Sequence, residues 1–180
     1  MRLPLLAAAT LVAGCATWAP EGEAVPASVF GANYLAADAL VAGGRAQLDP
    51  TRPIIVATVV DIDDLERSST LGRFLSESVS ARFTQNGFRM VEMKFQNAVY
   101  MKRQEGELML ARELREIATS HQAQAVVVGT YSRAASAVFV NLKVVRPESN
   151  VVIAAQEYSL PMGRDICVMI GRRDCDDYYR

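Results

Sequence analysis

Only a small set of side chains in this chain could do chemistry. Asp61-Ile62-Asp63-Asp64 with Glu66 gathers four carboxylates in one short stretch, a grouping that could form a weak Ca²⁺ or Mg²⁺ loop. The spacing lacks the glycine and closing glutamate of an EF-hand loop, and the plainer reading is a solvated turn whose acids favour the N-terminus of the following helix. His121 is the sole histidine. A Ser-His-Asp site could be drawn from it with Ser76 or Ser120, but no G-x-S-x-G elbow exists to present either hydroxyl. A surface histidine near the C-terminal dipole of a helix accounts for it more simply. Neither G-x-G-x-x-G nor G-x-x-x-x-G-K-[ST] occurs, so no phosphate cradle is expected. With one His and three Cys, a zinc site would need unusual help from carboxylates, and no metal is expected.

The cysteines carry more information. Cys167 and Cys175 lie in the tail Gly163 to Arg180, rich in Asp and Arg. In an oxidising compartment they read as a disulfide closing a small loop, with free thiols as the alternative. Cys15 is different. It follows a stretch whose one charge is Arg2 and whose run Leu3 to Ala13 is largely apolar, the pattern of a secretory signal peptide. That run falls well short of the roughly twenty residues a membrane-spanning helix needs. Val12-Ala13-Gly14-Cys15 resembles the lipobox of bacterial lipoproteins, which implies cleavage before Cys15 and a diacylglyceryl group on its thiol. Covalent lipid on Cys15 is then the one prosthetic group expected, and no other cofactor is. Lipoproteins retained at the inner membrane commonly carry Asp after the cysteine. Ala16 stands here instead, implying the periplasmic face of the outer membrane.

The rest of the chain must position a body behind that anchor. Its 180 residues are 51% apolar and 22% charged, a globular composition with room for one domain. Nineteen Lys and Arg against 20 Asp and Glu leave a net charge of −1, with no field to draw nucleic acid or steer an anionic substrate. Residues 1–14 read as signal, 15–28 as a lipidated tether containing Pro20, Gly22 and Pro26, 29–162 as the folded domain, and 163–180 as a tail. At about 3.5 Å per residue the tether could reach about 45 Å.

Within the domain, apolar spacing predicts helices over 30–47, from Leu71 to the Asn86-Gly87 stop, and over 105–120. Continuous β-branched runs predict strands over 54–60 and 125–131, with a shorter one over 88–93. Val138, Val140, Leu142 and Val144 then alternate with Phe139, Asn141 and Lys143, and Pro147-Glu148-Ser149-Asn150 turns the chain into a strand over 151–160. The expected fold is α/β: a single domain whose mixed sheet is parallel first, ends in an antiparallel hairpin, and is packed by about three helices.

Ordered blocks of residues carry a resemblance. Ser68 to Glu77, Gly87 to Met93, Gly106 to Ile117, Ala123 to Tyr131 and the closing Tyr158 to Met162 are similar to successive blocks of the FlgO family of outer-membrane lipoproteins, from about Asn33 to Met162. The domain also resembles the α/β modules of TolB amino-terminal and curli-secretion lipoproteins. The tail from Arg164 matches neither. The FlgO resemblance implies association with the flagellum, support of the basal-body ring and motility, ring proteins and further copies of the chain as partners, and no catalytic residues. Arg73, Glu77 and Arg89 are interface candidates on ordinary solvated positions. The alternative function is an envelope secretion or transport accessory. Nucleic acid and small-molecule substrates are not expected, and neither is enzyme activity.

The anchoring expectation has a direct check. Replacing Cys15 by Ala should abolish incorporation of labelled fatty acid and leave the unprocessed precursor. Normal processing and outer-membrane fractionation of the variant would refute it.

Overall fold

In the computed structural model, residues 28–65, 67–91 and 115–175 are described. They form a mixed sheet of six strands with two long helices and a short one on one face and a second short helix on the other. In chain order the elements are α1 (Val29–Gly44), β1 (Ile54–Val56), β2 (Val60–Asp61), α2 (Thr70–Gln85), β3 (Met90–Val91), α3 (115–120), β4 (Ala125–Arg133), β5 (Ala137–Arg146), β6 (Val151–Pro161) and α4 (Arg164–Met169). The sheet order is β3-β1-β4-β5-β6, with β2 also beside β4. β1, β2 and β3 run parallel to their partners, whereas β4-β5 and β5-β6 are antiparallel. The expected mixed α/β domain is therefore present, with parallel strands first and the hairpin last.

Among the described residues four helices stand where about three were expected. The addition is α4, whose six residues are too few to show a helical period in sequence. Ile166, Cys167 and Ile170, with Cys175 beyond it, join the main core, so the described part of the tail packs as part of the body. The helix expected over 105–120 is described only at its end, 115–120, and 105–114 lie outside the described residues. α1 stops at Gly44 rather than at 47, where consecutive glycines weaken helix continuation.

The strand expected over 54–60 is broken. Between Val56 and Val60 the chain takes four steps, while the paired positions Val127 and Thr130 on β4 are three apart. The one extra residue is a bulge, and it interrupts the ladder. α2 repairs the gap. Ser76 Oγ accepts from Val59 N at 2.8 Å and can donate its proton to Gly72 O at 2.9 Å or to Ala57 O at 3.2 Å. The helix lies so close that a Cβ on Gly72 would collide with the carbonyl oxygen of Val59. Ser69 starts this helix, accepting from Gly72 N at 2.9 Å. Gly87, at φ +86°, ends it in the left-handed conformation that glycine adopts without strain.

α1 runs alongside α2 in the same direction, and polar contacts to α2 and to β6 fix its place. Asn33 is fully buried; its amide donates to Leu75 O at 3.0 Å and its oxygen accepts from the Tyr158 hydroxyl. Burial pushes the Tyr158 phenol well above its ordinary pKa, keeping it the neutral donor. Further along, Arg82 grips Asp38 through two bonds of 2.8 and 2.7 Å and lies 5.4 Å above the centre of the Tyr34 ring. That guanidinium holds the Asp38 carboxyl below its usual range.

The apolar ledger divides by face. Val138, Val140, Leu142 and Val144 of β5 point into the main core with Leu40, Leu71, Leu75, Val79 and Phe83. On the opposite face Ile55 and Val126 pack with Ala118 and Ala123 at the end of α3.

Ser76→Ala would leave the Val59 N–H without its acceptor, and should cost about 1 to 3 kcal/mol. Gly72→Ala, which forces the helix off the strand, should cost a similar amount. Since both act on one contact, the double variant should lose less than the sum in urea unfolding. Additive losses would show that the two residues act independently.

Candidate functional site

The side chains singled out for chemistry do not converge. Asp61 is buried and pairs with Arg133, Oδ2 to Nε at 2.9 Å, while its other oxygen accepts from Asp63 N at 3.1 Å. Asp63 and Asp64 are exposed on the turn, and Glu66 lies outside the described residues. The acidic loop is thus organised around a structural ion pair. Among the described residues no group of three or more His, Cys, Asp or Glu is arranged to hold a metal ion.

Ser76 is occupied in the strand repair, and Ser120 Oγ donates to Ile117 O at 2.8 Å. They sit on helices that cover opposite faces of the sheet, and His121 is exposed just beyond α3. Arg73 and Glu77 share the solvent side of α2, where Arg73 donates to Ser68 Oγ at 3.0 Å. Arg89 lies at the other end of the sheet, beside the start of β1. Cys167 and Cys175 are joined as a disulfide with Cα atoms 5.6 Å apart, and both are buried. Cys15 lies outside the described residues.

A different surface emerges from the strand register. Thr130, Asn141 and Glu157 face one another across β4, β5 and β6, and Ser132, Phe139 and Ser159 form the next rung. These rungs lie on the face away from α1 and α2, where they line an open groove of about 600 Å³ that also meets Ile62. Asn141 donates to the Glu157 carboxylate, fixing the middle rung. Phe139 is 54% exposed. The groove lining presents hydroxyls, an amide, a carboxylate, the Lys143 amine and an apolar ring, groups that can hold a partner by hydrogen bonds and apolar contact. Sequence alone gave one hint of it: Phe139 occupies a solvent position of an alternating strand, where a large apolar side chain is costly unless something covers it.

Comparison with known proteins yields three findings. A family model described as FlgO protein matches residues 34–165. No match was found among curated proteins. Among solved structures, the C-terminal domain of LpoB from Salmonella enterica superposes with a TM-score of 0.55 at 14% identity, covering 73% of this chain and 97% of that one. The corresponding Escherichia coli domain gives 0.55 at 13% identity, covering 74% and 98%. The NMR structure of E. coli LpoB gives 0.53 at 14% identity, covering 89% and 84%. At such identities the likeness is one of fold.

For Cys167 and Cys175, replacement of both by Ser should lower stability by about 2 to 3 kcal/mol, the amount a loop this short contributes through chain entropy. Proteolysis should then cut first near α4 while the sheet stays intact. Mass spectrometry of the non-reduced protein should find both thiols bonded to each other, and free thiols would refute the pairing.

Proposed function

Because this chain belongs to the FlgO protein family, we propose that it is a lipid-anchored protein on the periplasmic face of the outer membrane, where it supports assembly or stability of the flagellar basal-body ring and hence motility. The family match carries this reading, since it spans residues 34–165 and so takes in nearly all of the folded body. Two features of the chain support it. Val12-Ala13-Gly14-Cys15 supplies the attachment point, and burying two or three acyl chains at about 0.8 kcal/mol per methylene makes release negligible. The described residues offer a polar groove with an exposed aromatic ring at its edge, a surface that an assembly role can use.

Anchoring also changes what weak contacts can do. Confined to a thin layer, each body meets its neighbours and the ring proteins at high effective concentration. Contacts too weak to hold a ring in solution then suffice at the membrane. The secretion-accessory alternative of the curli type calls for a hairpin free to insert in a bilayer. Here one face of the hairpin β5-β6 is committed to the core under α1.

Deletion of the gene should impair swimming and weaken the basal rings or filament retention, seen by motility assay and by electron microscopy of purified basal bodies. Restoring a Cys15→Ala chain should give a folded body without motility. Intact rings and normal swimming in the deletion strain would remove the flagellar reading.

A further inference from the structure

The topology places several distant parts of the chain at one end of the body. β4 ends at Arg133, β2 pairs beside Tyr131, β5 begins at Ala137 and β6 ends at Pro161, so all four strand ends meet there. α1 begins at the same end, because Asn33 bonds Tyr158 near the finish of β6, whereas Gly44 at its other terminus lies against Ile153 near the start of that strand. α4 follows β6 directly. This apical end therefore carries Ser28, the first described residue, beyond which the chain leads back towards Cys15.

The same end displays apolar surface. Phe30 on α1, Ile62 after β2, Phe139 on β5 and Val168 on α4 are 54%, 55%, 54% and 58% exposed. Phe30 stands edge-on to Phe74, ring centres 4.8 Å apart, so its ring projects from a fixed base. Of the other large apolar side chains exposed among the described residues, Val151 and Val152 sit at the opposite end and Leu35 lies partway down α1. Four elements far apart in sequence each spend an exposed large apolar side chain on the end from which the anchor departs.

We propose that this apical end rests on the phospholipid surface, with Phe30, Ile62, Phe139 and Val168 entering the boundary between headgroups and acyl chains. The argument for lipid as the occupant is the path of the chain. Ser28 stands thirteen positions after Cys15, and at about 3.5 Å per residue that length reaches no further than about 45 Å. A body held that close to a bilayer meets it far more often than any dilute partner, and four large apolar side chains give the contact an affinity of its own. Phe side chains suit such a boundary, where apolar area is buried without removing polar backbone from water. The body then lies against the membrane with β6, β5 and β4 directed along the membrane normal and its basal end, with Arg52, Arg89 and Arg146, presented to the periplasm.

The inference takes its membrane from the anchoring reading, and the test separates the two. The mature chain with Cys15→Ser, complete apart from lipid, is mixed with vesicles of three parts phosphatidylethanolamine to one part phosphatidylglycerol and assayed by flotation. It should float with the vesicles. A variant carrying Phe30→Glu, Ile62→Glu, Phe139→Glu and Val168→Glu should lose binding by about tenfold or more, while Val151→Glu with Val152→Glu at the basal end should bind like the parent. Circular dichroism and thermal melts confirm that both variants fold. If the four-fold variant does not fold, the single Phe139→Glu and Val168→Glu chains replace it, each expected to lose binding measurably. Absence of vesicle binding by the parent, or equal loss in apical and basal variants, overturns the proposal. Fatty-acid labelling at Cys15 reads the anchor independently: labelled chain without vesicle binding sinks the apical contact alone, and vesicle binding without label sinks the anchor alone.

Discussion

The close approach of α2 to the interrupted first strand holds the rest of this fold in place. A continuous parallel strand would satisfy its own hydrogen bonds and leave a helix free to slide over it. Here the bulge at 57–59 leaves Val59 N–H to be answered by a side chain, and Ser76 answers it. The absence of a Cβ at Gly72 lets the helix descend onto the Val59 carbonyl, while Ser69 fixes where that helix begins. Position, rotation and start of α2 are thereby set relative to the sheet. α1 in turn packs against this helix and against β5 and β6 of the same sheet.

Asn33 carries that order one layer outward. Its amide reads the backbone of α2 at Leu75 and the side chain of β6 at Tyr158, so a single buried residue measures the distance between a helix and the far strand of the sheet. A buried amide left without partners would cost several kcal/mol, which makes a shift of α1 along α2 unfavourable even where apolar packing would tolerate it. The Asp38–Arg82 pair sits nearer solvent, with about a third of each side chain exposed, and contributes less for that reason. Specificity of the helix pairing therefore lies chiefly with the buried amide.

How much of this could be read from sequence depends on the range of the forces involved. β5 was legible because alternation is local: Val138, Val140, Leu142 and Val144 are buried and Phe139 and Lys143 exposed, as a half-buried strand requires. The Asn86-Gly87 stop was legible for the same reason. The break at 57–59 was not, since Ile54 to Val60 is an unbroken run of strand-forming residues and the extra residue shows only in the register against the distant strand β4. α4 left no period to detect. The groove rungs and the apical residues were hidden for a topological reason: 30, 62, 139 and 168 become neighbours only once the strand order is known.

The bond between Asn33 and Tyr158 spans 125 positions, and it has a temporal meaning. A ribosome releases α1 early and β6 near the end, so the apolar stripe of α1 has no strand to cover it until almost the whole chain exists. Loop-closure entropy penalises such distant pairings, and chains dominated by them fold in milliseconds to seconds rather than microseconds. Until β6 arrives, α1 can be held by carriers or lost to aggregation, but it cannot reach its native packing. The last strand made is thus the one that locks the first helix, and a nascent body truncated before residue 151 would be a half-open structure, a natural substrate for chaperones and proteases.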